Sequence, residues 1–307
     1  MRVIVTGATG TIGLAVVNAL RSRGDQVVAL TRDPNRASPE LGGVETHAWP
    51  RPKEAPPPQA ALTGADAIVH LLGEPVAQRW TKDAQREIRE SRVLSTRSLV
   101  AGISALPVDQ RKPTLVSQSA TGWYGSRGEE WLEEDAPAGD DFLAEVVADW
   151  ERESLAATDV GVRVVVTRTG VVLSPTGGAL SKMLLPFRMG VGGPVAGGRQ
   201  YVPWVHIGDV VGGLLHCVDN AAASGPVNVV SPNPVTNAEL SRQLGQVLRR
   251  PAIMPVPALA LRALYGEMAM MVTGGQRVSA KRLLGLGYVF RYPELETALR
   301  DVLGRAE

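Results

Sequence analysis

Thr6-Gly7-Ala8-Thr9-Gly10-Thr11-Ile12-Gly13 decides the fold. It follows the buried-strand pattern Arg2–Thr6 and opens a helical pattern over Thr11–Arg23, with Ile12, Val16, Val17 and Leu20 on one face and Gly24 at the end. In that setting each glycine has a task. Gly7 permits the tight turn, Gly10 lets the backbone approach a pyrophosphate, and Gly13 lets helix and strand pack closely. The helix start then offers free N–H groups and partial positive charge to phosphate. Thr9, Thr11 and Ile12 complete the phosphate-side candidates. The chemistry expected is dinucleotide binding on a Rossmann-type, doubly wound parallel α/β sheet.

Outward from this turn, short β-branched runs alternate with amphipathic stretches. Strands are expected at Gln26–Thr31, Asp66–Leu71, Pro113–Ser119 and Val162–Arg168, with helices at about 81–106 and at Asp141–Ala157. Residues 33–60 hold seven prolines and read as an irregular connection with one short strand near Val44–Ala48. After Arg168 the texture changes to Gly-rich and apolar at 177–205. A helix at His206–Asp219 and a strand at Val227–Val230 follow, then helices at Thr236–Leu248, Pro257–Val272, Ser279–Leu284 and Pro293–Leu303. The expected division is a nucleotide-binding domain at 1–172, rejoined by 206–230, and a smaller, partly interleaved C-terminal substrate domain at 173–205 and 231–307. The methionines of Pro257–Val272 read as core or a domain interface.

The second strand ends at Thr31-Arg32-Asp33. An acidic tip would read both ribose hydroxyls, whereas the Arg32 guanidinium suits a 2′-phosphate, so NADP is expected over NAD. Asp33, beside Pro34, is expected to turn into the loop. Leu71, Leu72 and Gly73 follow the fourth strand and fall where a ligand crosses the strand ends.

Composition excludes several classes. Thirty-two basic and 31 acidic residues in 307 give a net charge of +1, which carries no footprint for nucleic acid or an anionic membrane. No apolar run reaches the roughly 18 residues of a membrane span, and the opening strand pattern leaves no signal peptide. The lone Cys217 cannot form an internal disulfide. A cytoplasmic protein with a small-molecule substrate is expected. His206, Asp209 and His216 share one helical stretch but lack the further ligands of a metal site, so no metal is expected and a polar cap is the reading preferred.

With Ser119…Tyr124-Gly125, Gly73-Glu74-Pro75, Arg79-Trp80, Ser91-Arg92, Arg168-Thr169-Gly170-Val171-Val172-Leu173, Leu184-Leu185-Pro186-Phe187, Pro203-Trp204-Val205-His206 and Gly274-Gly275-Gln276-Arg277-Val278, the chain resembles the extended short-chain dehydrogenase/reductases. The nearer likeness is to the epimerase-family, or nucleoside-diphosphate-sugar-epimerase-like, proteins. The resemblance implies NADP in the cleft and adds Glu87, Arg92 and Val171 as cofactor contacts. It also allows a homodimer, since helices 81–106 and 141–157 are the ones extended members pair across a two-fold axis.

One departure stands out. Most of that superfamily transfers a proton through a Tyr-x-x-x-Lys pair, because a phenol of pKa about 10 needs a cation beside it. None of the five tyrosines here has lysine at +4. Phe142 and Val146 stand where the pair belongs. Tyr124, with Ser119 as its hydrogen-bond partner, is the expected substitute; Glu145, Asp149 and Glu151 are further acids on the next helix. Likewise Val202 and Pro203 stand where a sugar-nucleotide epimerase grips diphosphate with arginine. Three functions follow in order: an atypical NADP(H)-dependent oxidoreductase, a non-catalytic NADP-binding regulatory or scaffold protein, and a nucleotide-sugar epimerase or dehydratase.

Overall fold

The computed structural model describes residues 1–305. Seven parallel strands form one sheet: β1 (Arg2–Thr6), β2 (Gln26–Thr31), β3 (Glu45–Ala48), β4 (Ala67–His70), β5 (Thr114–Ala120), β6 (Val164–Thr169) and β7 (Gly225–Val229), in the order β3-β2-β1-β4-β5-β6-β7. The order reverses between β1 and β4, which opens a crevice at the carboxyl ends of those two strands.

The strands are apolar on both faces because helices cover both. On one side Val3, Val5, Val69 and Val165 pack with α1 (Thr11–Ser22) and with Val210, Leu214 and Cys217 of the helix Ile207–Asp219. On the other, Ile4, Val28, Ile68 and Leu115 pack with Leu99 and Ile103. Those two residues belong to the long helix Lys82–Ser104, which lies against Phe142–Leu155 on this side. A third core, with Leu180, Phe187, Trp204, Leu244, Leu295 and Leu299, holds the C-terminal elements together.

Two expectations are corrected. Residues 33–60 are not wholly irregular: α2 spans Pro34–Glu40. Its N-cap is Asp33, whose carboxylate accepts from Asn35 N at 3.0 Å and Arg36 N at 3.2 Å, with Pro34 at the first helical position. Pro39, inside the helix, hides the pattern from a periodicity reading. The expected single helix Pro257–Val272 is broken. Gly266 takes φ +63°, ending α-helix Ala258–Tyr265, and a 3₁₀ turn at Gly266–Ala269 precedes the short helix Met270–Thr273. Nor is the segment core, for Leu259 is 79% and Leu264 67% exposed while only Met268 and Ala269 are buried.

Candidate functional site: a glycine-lined crevice at the strand ends

At the exit of β1 the chain bends through Gly7 at φ +64°, and a Cβ there would stand 2.7 Å from the carbonyl oxygen of Leu71. Gly13 is tighter still, its Cβ position being 2.1 Å from the oxygen of Gly7. Gly10 donates its N–H to Gly7 O at 3.0 Å and caps α1 without any side chain, so nothing in the cap occupies the first amides of the helix, those of Thr11 and Ile12. This is a backbone cradle of the kind phosphate oxygens fill.

A buried polar chain ties the cradle to β4. The Leu71 amide donates to Thr6 Oγ1 at 3.1 Å, and that hydroxyl lies 2.8 Å from His70 Nδ1. The other ring nitrogen, Nε2, lies 3.0 Å from Thr96 Oγ1, so each nitrogen has one hydroxyl partner. Full burial pushes the His70 pKa down to about 3, so the ring is neutral near pH 7. It acts as a fixed connector between the first strand, the fourth strand and helix Lys82–Ser104.

At the tip of β2, Thr31 is half-buried and Arg32 exposed, with no ion pair to Arg32 among the described residues. Its neighbour Asp33 is committed to capping α2. Past β4, Leu71 and Leu72 are half-buried, and a Cβ on Gly73 would meet the Arg92 guanidinium at 2.9 Å. Arg92 lies over the Trp150 ring at 5.3 Å and donates to Ile88 O at 3.0 Å. Burial lowers its pKa to about 10, offset in part by Glu74, and it stays charged at neutral pH. A half-buried cation with one short-range partner beside an open crevice is suited to an anionic ligand.

Glu87 does not share this site. Its carboxylate is turned to Lys53 at 2.7 Å, away from Ser91, which accepts from the Glu74 amide at 3.0 Å. Neighbours at i and i+4 share a helix face, but Glu87 and Ser91 here meet different loops. Val171 follows β6, where its amide donates to Pro203 O at 2.7 Å.

Ser119 and Tyr124 are not hydrogen-bonded to each other but meet the same buried ion pair. Ser119, Arg168 and Asn228 lie on one rung across β5, β6 and β7. Arg168 makes two 2.9 Å bonds to the Glu151 carboxylate, and Ser119 donates to the same group at 2.5 Å. Tyr124 donates to Asn228 Oδ1 at 2.7 Å and accepts from Arg168 at 3.2 Å, with no exposed surface. Burial raises its pKa to about 12. Both hydroxyls, expected to transfer a proton as a pair, are engaged here with the buried Arg168–Glu151 ion pair and its neighbour Asn228.

Further along the strand-end side, Phe142 begins the helix Phe142–Leu155 and packs edge-on to Trp80 with ring centroids 5.2 Å apart. Val146 is buried in the same cluster with Ile88 and Met268. Next to it opens a cleft of about 430 Å³ lined by Trp80, Phe142, Arg262, Gly266, Glu267 and Met270. Sequence reading missed this meeting of Trp80 and Phe142 with Arg262, Glu267 and Met270. The one signal was an aromatic at the start of each helix, Trp80 just ahead of one and Phe142 first in the other. No group of three His, Cys, Asp or Glu among the described residues could hold a metal ion. His206 instead caps its helix, its Nδ1 accepting from Gly208 N at 2.9 Å, and no described helix is long and apolar enough to cross a membrane.

A family model described as the NAD dependent epimerase/dehydratase family matches residues 3–230. The chain belongs to that family. Residues 256–302 match a second model, described as a domain of unknown function, DUF1731. The chain is 37% identical over 308 residues to the human epimerase family protein SDR39U1, covering 99% of this chain and 100% of the relative. It is 38% identical over 311 residues to the Arabidopsis thaliana SDR39U1 homolog, chloroplastic, covering 99% and 87%. The crystal structure of human SDR39U1 (isoform2) with NADPH superposes with a TM-score of 0.87 at 36% identity, over 100% of both chains. The family's epimerase label is a fold-level name and by itself assigns no reaction to this chain.

Proposed function

We propose that this protein binds NADPH in the crevice between Gly7 and Gly73 and is an atypical extended short-chain oxidoreductase acting on a small carbonyl compound. The observation that carries it is the start of α1, where Gly10 caps the helix with no side chain and leaves the Thr11 and Ile12 amides free for phosphate oxygens. A human relative that aligns over its whole length was solved with NADPH, which supports the same reading. In this reading the amides of Thr11 and Ile12 receive pyrophosphate, Arg32 pairs with the 2′-phosphate, and Arg92 adds charge beside Gly73. Residues 1–172 with 206–230 would carry the cofactor, and 173–205 with 231–307 the substrate side. When bound, the cofactor supplies hydride. The proton for the reduced oxygen comes from water entering the open cleft, since Phe142 and Val146 have none to give.

Val202 and Pro203 support placing nucleotide sugars last. Val202 pairs with Val235, and the Pro203 carbonyl is held by the Val171 amide, so neither position offers a cation to diphosphate. A cytoplasmic location is proposed from charge and the buried, single cysteine. The test is transfer of deuterium from 4-deuterated NADPH to a panel of ketones and aldehydes, read by mass spectrometry. Labelled alcohol supports the oxidoreductase. Tight NADPH binding with no transfer across the panel would favour the non-catalytic binder, which the missing Tyr/Lys pair also suits.

A further inference from the structure

Each wall of the Trp80–Phe142 cleft comes from a different part of the chain. Trp80 ends the connection from β4, Phe142 starts the helix that follows β5, and Arg262, Gly266, Glu267 and Met270 come from the C-terminal segment. The first two connections leave the carboxyl edge of the sheet, the edge where ligands of open α/β sheets bind. At about 430 Å³ the cleft is within the range of small-molecule sites.

Its chemistry is mostly apolar. Two aromatic rings stand edge to face at one wall, and the Met270 thioether, flexible and polarisable, stands at the other. The two charged side chains are of opposite sign. Glu267 already accepts from Gln85 at 2.9 Å, which ties the C-terminal segment to helix Lys82–Ser104, while Arg262 has no ion pair among the described residues. Nothing here balances two or three phosphate charges. One cation suits a single polar end.

We propose that this cleft is the substrate site and that it takes an apolar, chain- or ring-bearing carbonyl compound, its apolar body between Trp80, Phe142 and Met270 and its polar end toward Arg262. The proposal deepens the oxidoreductase reading and rests on it for the carbonyl, while the apolar part stands on the cleft alone.

The experiment is calorimetric binding of 2-butanone, 2-hexanone and 2-octanone to the NADPH-loaded protein, with NADPH binding measured first. Affinity should rise about fourfold for each methylene buried, levelling off when the cleft is full. UDP-glucose should not displace the longest ketone. Met270→Asp should flatten the series to below twofold per methylene and leave NADPH affinity unchanged. Leu259→Ser, on the exposed surface of the neighbouring helix, should leave the series as in the wild type. A flat wild-type series, displacement by UDP-glucose, or loss of the series in Leu259→Ser but not in Met270→Asp would each overturn the proposal. Failure of NADPH to bind would instead sink the oxidoreductase reading, and the ketone series on the unloaded protein would still report on the cleft.

Discussion

Gly7 and Leu71 pack so closely beside the crevice that a Cβ on Gly7 would stand 2.7 Å from the Leu71 carbonyl oxygen. The contact joins the turn after β1 to the exit of β4, and the Leu71 amide is held from below by Thr6 Oγ1 at 3.1 Å. Turn and strand exit are thus one rigid unit, and the glycine motif is set against a fixed wall rather than a mobile loop.

Gly7→Ala should therefore be costly twice. The residue is held at φ +64°, where a Cβ is disfavoured by roughly 1–2 kcal/mol, and the contact with backbone cannot relax by a rotamer change. A loss of about 1–3 kcal/mol in urea denaturation is expected, together with at least a tenfold loss of NADPH affinity in a fluorescence titration. An alanine variant with wild-type binding would mean the cradle is not used.

Tyr124→Phe should retain turnover or NADPH binding at the wild-type level. It removes the hydroxyl that serves Asn228 Oδ1 and Arg168, so a stability loss of about 1–3 kcal/mol is expected. Abolished activity in a folded Tyr124→Phe protein would restore the tyrosine to the chemistry.

The ion pair beneath it is the larger structural element. Arg168 and Glu151 are 2% and 4% exposed at their side chains. Arg168→Met would strand the Glu151 carboxylate in the interior, and a destabilisation of about 3–5 kcal/mol is expected. Glu151→Gln together with Arg168→Met removes both charges and should recover part of that loss. Thermal unfolding of the three variants checks it.

Acid should weaken the fold before the carboxylates titrate. The His70 pKa falls from its usual 6.5 to about 3 through burial, so between those values the unfolded chain holds a proton the folded chain lacks. Stability is fully present above pH 6.5 and declines by up to about 1.4 kcal/mol per unit below it. His206, also lowered by burial, adds in the same direction. His70→Gln should flatten the slope of denaturation midpoint against pH between 6.5 and 5. An unchanged slope would show that His70 does not hold its neutral form.

The sheet and the cradle were legible because both are local. Gly7, Gly10 and Gly13 mark a turn between a strand and a helix, and the double-sided burial of β1 shows as an unbroken apolar run, Val3–Val5. Asp33-Pro34 was also a local signal, a cap followed by a first-turn proline, obscured by the prolines around it. The role of Tyr124 was not legible: its partners Asn228 and Arg168 lie 104 and 44 residues away, and proximity to Ser119 in sequence says nothing of the rung on which either sits. The same distance hid the cleft, where Trp80 and Phe142 meet Glu267 and Met270 only after the C-terminal segment folds back. The pairing of Glu87 was hidden for a related reason, since its partner Lys53 stands in a segment without periodicity.

The central claim is that the crevice holds NADPH with Arg32 on the 2′-phosphate. Isothermal titration of NADPH and NADH into the wild type and Arg32→Ala tests it most directly. The wild type should bind NADPH at least tenfold more tightly than NADH, as a charge-assisted pair worth roughly 1.5–3 kcal/mol requires. Arg32→Ala should bring the two affinities together by weakening NADPH alone. Equal affinities in the wild type, or an Arg32→Ala protein that keeps the preference, would contradict it.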